Sequence, residues 1–329
     1  MIFDILRHTT KTIFAIGILF LATLGNVCSM SIESSKILEG IRSAKLNAFN
    51  LEKVIQDKCL ESTRIEYEQA LVPGRQAMLD KYNVSVKTQE INGVAVYEYI
   101  PKNITSEIVG LHVHGGAFVL LSAASSYGIP VQVSSLCGIR VISIEYGLAP
   151  ENKYSSMVTQ AQLAAEGILL SGCDAKNLVF FGESAGGAIC ISAAYRLSKK
   201  SLSIGKVVLF SPWIDLSCDS ISDDVDDPVL CKKNYLEVSA KSIVGGEEDL
   251  KLFPLSLTYG GVFPQVLIQH GTREILAEQI RIFGNLLKKS MVNVSIESYS
   301  GLWHVFHSYP DLPETQQAFK NVQKFVIGI

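Results

Sequence analysis

Apolar runs of strand length recur along this chain, and segments of helical period fill most of the gaps between them. Val94–Ile100, Ile108–His114, Arg140–Glu145, Leu178–Gly182, Lys206–Ser211, Gln265–His270 and Val292–Tyr299 read as strands. Helical patterns occupy 125–137, 155–170, 187–199 and 275–289. Strands this uniformly apolar must be covered on both faces. Strand–helix alternation therefore implies a mostly parallel central sheet with helices on either side. In such a sheet the ligand site lies beyond the carboxyl ends of the strands, so the loops that follow them are the place to look for chemistry.

Composition agrees with a globular body and narrows its partners. Of 329 residues 48% are hydrophobic and 19% charged, with 29 Lys plus Arg against 32 Asp plus Glu. That balance argues against disorder and, lacking a basic excess, against nucleic acid as a partner. The N-terminus departs from this pattern. Arg7, His8 and Lys11 precede an apolar stretch from Ile13 to Val27. It is about 15 residues long where a spanning helix needs roughly 20. A positive flank, an apolar core and small residues near Cys28 and Ser29 are the layout of a signal peptide or membrane anchor over 1–29, which implies export or membrane attachment; the alternative is a buried first helix of the fold. Beyond it, helical spacing of apolar residues from Ile32 to Leu60 marks one or two amphipathic helices ahead of the main domain. The seven cysteines show neither a C-x-x-C pair nor metal-ligand spacing. Cys190, in a core helix, reads as a buried free thiol.

Four post-strand loops carry reactive residues. Gly182-Glu183-Ser184-Ala185-Gly186-Gly187 follows a strand and opens a small-residue helix. In that setting G-x-S-x-G is a nucleophile elbow, whose glycines permit a tight turn with the serine at its apex. The alternative is a serine that merely caps the helix. His114-Gly115-Gly116-Ala117-Phe118 follows another strand, and adjacent glycines expose backbone N–H groups suited to an oxyanion hole. The third requirement is a base and an acid, because a serine hydroxyl is a weak nucleophile until an imidazole takes its proton and a carboxylate orients that imidazole. His304, in Gly301–His307, is the candidate base, with His307 as rival. Glu274, in His270–Leu276, is the candidate acid, with Asp215 and Glu278 as competitors.

Taken together, His114-Gly-Gly-Ala-Phe, Tyr146-Gly-Leu-Ala-Pro-Glu151, the Gly182–Gly187 elbow and Ser211-Pro-Trp-Ile-Asp-Leu-Ser217 resemble the hormone-sensitive-lipase family of α/β-hydrolase esterases over residues 75 to 329. The resemblance implies an α/β-hydrolase fold in which Ser184 is the nucleophile and His304 the general base. Glu274 takes the acid position, and the Gly115, Gly116 and Ala185 amides form the oxyanion hole. It also implies a helical lid made of segment 30–75 and an insertion at about 218–256, over a catalytic domain of 76–329. Gly147 stands where the family has Arg, Glu183 replaces a common Asp, and Ala117 replaces a third glycine.

The expected reaction is hydrolysis of a small-molecule carboxylic ester, without cofactor or metal; the resemblance implies an ester or lactone of short to medium acyl chain. Phe118, Trp213, Tyr235, Trp303 and Phe306 are the candidates to line the substrate site. The acidic stretch Asp219–Asp227 reads as a solvated lid loop. An amidase or deacetylase with the same triad, and a non-catalytic small-ligand receptor on the same fold, are the competing functions.

Overall fold

The structure is a computed structural model that describes residues 30–43, 59–222, 224–230, 233–260 and 262–328. The segment 1–29, read above as signal or anchor, lies outside the described residues, as does 44–58 of the N-terminal helical stretch. No helix among the described residues is long and apolar enough to cross a membrane.

Eight strands form one sheet: β1 Val84–Ile91, β2 Val94–Pro101, β3 Val109–Val113, β4 Arg140–Ile144, β5 Leu178–Glu183, β6 Lys206–Phe210, β7 Gln265–Gly271 and β8 Val294–Tyr299. Their order is β1-β2-β4-β3-β5-β6-β7-β8. The first hairpin and the β2–β4 pair are antiparallel, and every later pair is parallel. All the expected strands are present. β1 is an addition the sequence reading lacked: it is an edge strand, mostly exposed, with Lys87, Gln89 and Glu90 breaking any apolar run. Charged residues on an edge discourage pairing with other chains, and they also erase the period-two signal.

The inner strands alternate their side chains between two cores. Leu178, Phe180, Val207, Leu209, Val266 and Ile268 point to one face. There they meet α5 Tyr154–Leu170, α6 Ala185–Lys199 and α9 Ala277–Lys289. Val179, Phe181, Val208, Phe210 and Leu267 point to the other, against α3 Arg75–Tyr82, α4 Gly128–Cys137 and α10 Pro313–Ile327. This period-two partition is what a sheet buried on both sides requires.

The remaining helices are α1 Ile32–Ser43, α2 Leu60–Leu71, α7 Lys233–Ile243 and α8 Glu247–Leu252, the last two lying between β6 and β7. α1 packs Leu38 and Ile41 into a third cluster with Leu302, Trp303, Phe306, Leu312 and Ala318. α2 is fastened to the main domain by Arg64, which donates to the carbonyls of Val119 and Ala149 and pairs with Glu151. Cys59, Cys137, Cys173, Cys190 and Cys218 are free thiols, and Cys190 is fully buried.

Candidate active site

Parallel register brings the loops together. Val113 stands opposite Gly182, Glu183 opposite Phe210, Phe210 opposite Gln269 and Gly271 opposite Tyr299. The chain segments leaving these strand ends therefore emerge side by side along one edge of the sheet, which is where an open parallel sheet places its ligand site.

The central turn is the one after β5. Ser184 has φ 51 and ψ −122, a backbone conformation that L residues rarely adopt and that is held by its surroundings. Its N–H donates to Phe210 O at 3.0 Å, and its carbonyl accepts from Trp213 N at 2.9 Å and Gly187 N at 3.0 Å. The turn is possible because Gly186 has no side chain: a Cβ there would fall 2.0 Å from Val113 O. Ser184 occupies the cap position of α6, yet its side chain makes no capping bond. Its Oγ lies instead 2.9 Å from His304 Nε2. Ser184 is 7% exposed and His304 6%, so this pair sits just beneath the surface.

Glu274 is 1% exposed in the neighbouring loop. Its Oε2 accepts from Ser211 Oγ at 2.6 Å and Gly271 N at 3.1 Å. The same Ser211 Oγ accepts the Val305 N–H at 3.1 Å, so one hydroxyl links the acid to the residue after His304. Glu274 Oε1 and His304 Nδ1 are both buried and make no hydrogen bond. They are complementary, an acceptor on one loop and a ring nitrogen on the other. Burial pushes the Glu274 carboxyl well above its ordinary range, opposed by the Ser211 hydrogen bond and reinforced by the charge of Asp227. Burial likewise pushes His304 down to about 3, which keeps the imidazole neutral at neutral pH.

The competing candidates point elsewhere. Asp215 turns onto its own loop, accepting from Ser217 N at 2.9 Å and Ser217 Oγ at 2.7 Å. Glu278 pairs with Arg281 on the exposed side of α9. His307 is fully buried among Phe210, Phe306 and Phe319, and neither ring nitrogen has a partner.

Gly115, expected among the oxyanion donors, does not offer its N–H to the site. It donates to Glu183 Oε1 at 2.8 Å, while Glu183 Oε2 meets His112 Nε2 at 2.7 Å and His112 Nδ1 meets Ser143 Oγ at 2.8 Å. A buried carboxylate needs such donors. Burial alone would raise the Glu183 carboxyl, but the His112 ring and the Gly115 N–H outweigh it and hold it below its usual range. Among the described residues no acceptor takes the N–H of Gly116, Ala117 or Ala185. Gly116 has φ +99, and a Cβ there would fall 2.0 Å from Leu120 O, so glycine is required at that turn. His114 stacks on Tyr146 with ring centroids 4.2 Å apart, and Tyr146 Oη donates to His114 O at 2.9 Å, bracing the loop from below.

Of the aromatic candidates, Phe118 and Trp213 lie beside the serine turn, with ring centroids 5.3 Å apart, and Phe118 is backed by Tyr154 and Phe253. Tyr235, on α7, packs against the same core. Trp303 and Phe306 do not join them. Both belong to the third cluster, with Trp303 edge-on to Tyr309 and packed with Leu38 and Ile41 of α1. Periodicity does not tell on which side of a loop an aromatic ring will be buried.

Asp227 also departs from its expectation. It is not a solvated loop residue but 2% exposed. Its Oδ1 accepts from Val229 N at 3.0 Å and Leu230 N at 3.2 Å and its Oδ2 from Ile275 N at 3.1 Å, and the nearby backbone N–H of His304 also favours its charged form. The Asp227-Pro228 step was the available signal, since Asp before Pro initiates turns whose carboxylate folds back on the chain. Ser211 and His112 carried no comparable mark.

The comparisons agree with this architecture. A family model described as the alpha/beta hydrolase fold matches residues 110–308. An esterase from Acinetobacter venetianus is 24% identical over 253 residues, covering 75% of this chain and 83% of the relative. An acetyl-hydrolase from Streptomyces hygroscopicus is 27% identical over 223 residues, covering 66% and 74%. The crystal structure of an esterase from the bacterial hormone-sensitive lipase family matches with a TM-score of 0.78 at 25% identity, covering 91% of this chain and 98% of that one. The chain belongs to the α/β-hydrolase fold family, and within it to the hormone-sensitive-lipase-like esterases.

Proposed function

We propose that the protein is a serine carboxylesterase that cleaves short acyl esters through an acyl-enzyme. The observation that carries this reading is the 2.9 Å approach of His304 Nε2 to Ser184 Oγ at the apex of a strained strand-to-helix turn. With the ring proton on Nδ1, Nε2 accepts the serine proton as Oγ forms a bond to the ester carbonyl carbon. The carbonyl π electrons move to oxygen, and the amides of Gly116, Ala117 and Ala185 are the groups free to receive that charge. Collapse expels the alkoxide, which takes the proton from His304. A water then attacks the acyl-enzyme with the same base, and the carboxylic acid leaves with Ser184 restored. Glu274 orients the imidazole through Nδ1 and stabilises the imidazolium; Glu274 Oε1 and His304 Nδ1 are each buried without a hydrogen-bond partner, which supports their pairing in the working enzyme.

Phe118 and Trp213, backed by Phe253 and Tyr154, form the apolar wall on which a short acyl or alcohol group would rest. The acetyl-hydrolase relative accords with a small acyl group. In this reading α2, α7 and α8 serve as the lid, Tyr235 contributes from it, and Trp303 supports the base loop rather than touching substrate. The near-complete burial of Ser184 means that the lid must yield for substrate to enter. The apolar stretch from Ile13 to Val27 accords with export or membrane attachment of the enzyme.

A fluorophosphonate should label one residue, Ser184, and Ser184→Ala should abolish both labelling and turnover of p-nitrophenyl acetate. Turnover of the matching anilide at a comparable rate would favour an amidase instead. Labelling of another residue would overturn the assignment of the nucleophile.

A further inference from the structure

Two loops must stay in register for the acid and base to meet, and neither is anchored only by its own strand. Gly271–Leu276 and Gly301–Phe306 are short excursions from β7 and β8, cross-linked by Arg273 N donating to Leu302 O at 2.9 Å. A side chain that binds the backbone of the first and lies beside that of the second comes from outside them. Asp227 lies in the insertion between β6 and β7. Its carboxylate accepts the N–H next to Glu274, at Ile275, at 3.1 Å, and the backbone N–H of His304 lies near enough to favour its charged form. Its other oxygen closes a turn on Val229 and Leu230, which fixes the carboxylate before it reaches the loops. The adjacent Asp226 pairs with Arg273 of the first loop at 2.6 Å, and Arg273 Nε donates to Gly301 O of the second at 3.2 Å, so one guanidinium links the insertion to the first loop and the first loop to the second.

We propose that Asp227 is a positioning residue: its carboxylate sets the distance between Glu274 and His304 and makes the completeness of the triad depend on the seating of the 218–256 insertion. The inference rests on the assignment of Ser184 and His304 given above. Asp227 touches no reacting atom, because its bonds are to main-chain N–H groups. Each loop has a further tie through Ser211, to Glu274 Oε2 on one side and Val305 N on the other. Ser211 therefore joins the acid side chain to the base loop, while Asp227 fastens the backbone of the acid loop, beside that of His304, to the insertion. With both in place the loops have little freedom to separate, and small misplacements of reacting groups carry large rate penalties.

The decisive variant is Asp227→Asn, of nearly the same shape but with an NH2 facing N–H groups that need an acceptor. The experiment compares it with Ser184→Ala and with Asp219→Asn, an exposed acidic residue of the same stretch. The readouts are kcat and KM on p-nitrophenyl acetate, the endpoint titre of fluorophosphonate-reactive sites, and the thermal midpoint. The proposal expects kcat of Asp227→Asn to fall about 10- to 100-fold, with KM within about threefold and an undiminished endpoint titre. Asp219→Asn should match the parent. An Asp227→Asn enzyme within about twofold of the parent in kcat would overturn the proposal. So would a loss that follows the titre one for one, since that would be a loss of folded enzyme only. Should Asp227→Asn not fold, Asp227→Ser, which retains a short acceptor, takes its place under the same criteria; if neither folds, the residue is structural and the proposal falls. A Ser184→Ala enzyme that retains turnover would instead refute the underlying assignment, whatever Asp227 does.

Discussion

Ser211 gives its hydroxyl proton to Glu274 at 2.6 Å, and this bond ties the loop after β6 to the acid of the site. The same oxygen accepts the Val305 N–H. Ser211→Ala removes both contacts while leaving the backbone, at φ 48, no more strained than before. A hydrogen bond to a buried charged group is worth roughly 1.5–3 kcal/mol. The variant should lose stability of that order and about tenfold or more in kcat. Urea unfolding and steady-state kinetics on p-nitrophenyl acetate would show it; unchanged kcat would mean that Ser211 has no part in orienting the acid.

The strain at Ser184 predicts opposite signs for stability and activity. A non-glycine residue in such a region carries about 1–3 kcal/mol of strain. Glycine gives back roughly 0.4–1 kcal/mol through the unfolded chain. Ser184→Gly should therefore be more stable than Ser184→Ala by about 1 kcal/mol, although both are inactive by a factor on the order of a million. Differential scanning calorimetry of the two variants side by side tests this, and equal midpoints would show that the turn is relaxed.

Gly116 is constrained by space as well as by its φ of +99, since a Cβ would meet Leu120 O at 2.0 Å. Gly116→Ala must displace the loop and with it a backbone donor. Loss of one oxyanion donor typically lowers kcat by about 100- to 1000-fold. The expectation is a fall of that size with an unchanged far-ultraviolet circular dichroism spectrum. A mild effect would place the developing oxyanion on other amides.

His307 provides a pH test. It is buried without a partner, and burial holds its pKa well below the ordinary 6.5. The unfolded chain therefore binds a proton that the folded one refuses, and folding loses stability as pH falls below 6.5. The loss reaches up to about 2 kcal/mol for this one group between pH 6.5 and 5. His307→Phe abolishes that contribution within a cage of Phe210, Phe306 and Phe319. The drop in urea midpoint from pH 8 to pH 5 should be smaller in the variant than in the parent. An identical drop would show that the native ring takes up its proton as easily as the unfolded one.

How far the sequence leads is set by how local each signal is. The inner strands were legible because burial on both faces forces an apolar run, and the serine turn because Gly182 and Gly186 leave a fixed spacing around Ser184 in the chain. His304 and Glu274 followed from their places after the last two strands. β1 was illegible because Lys87, Gln89 and Glu90 suit an edge that faces water. Asp227 was misread because its neighbours Asp219, Asp224 and Asp226 share its charge, while its burial is decided by loops distant in the chain. The N–H of Gly115 went to Glu183 for a similar reason: a glycine pair shows that amides are uncovered, not which of them a buried carboxylate will claim.

The packing of α1 bears on any attempt to shorten this enzyme. Leu38 and Ile41 rest on Leu302 and Trp303, immediately before the base, and Ser31 and Ser34 donate to Glu314 on the final helix. Trimming the gene to the family-matched region would strip this cover from an indole and a leucine that now have no contact with water. A minimal version designed around residues 110–308 would inherit a greasy scar beside His304, its proposed base.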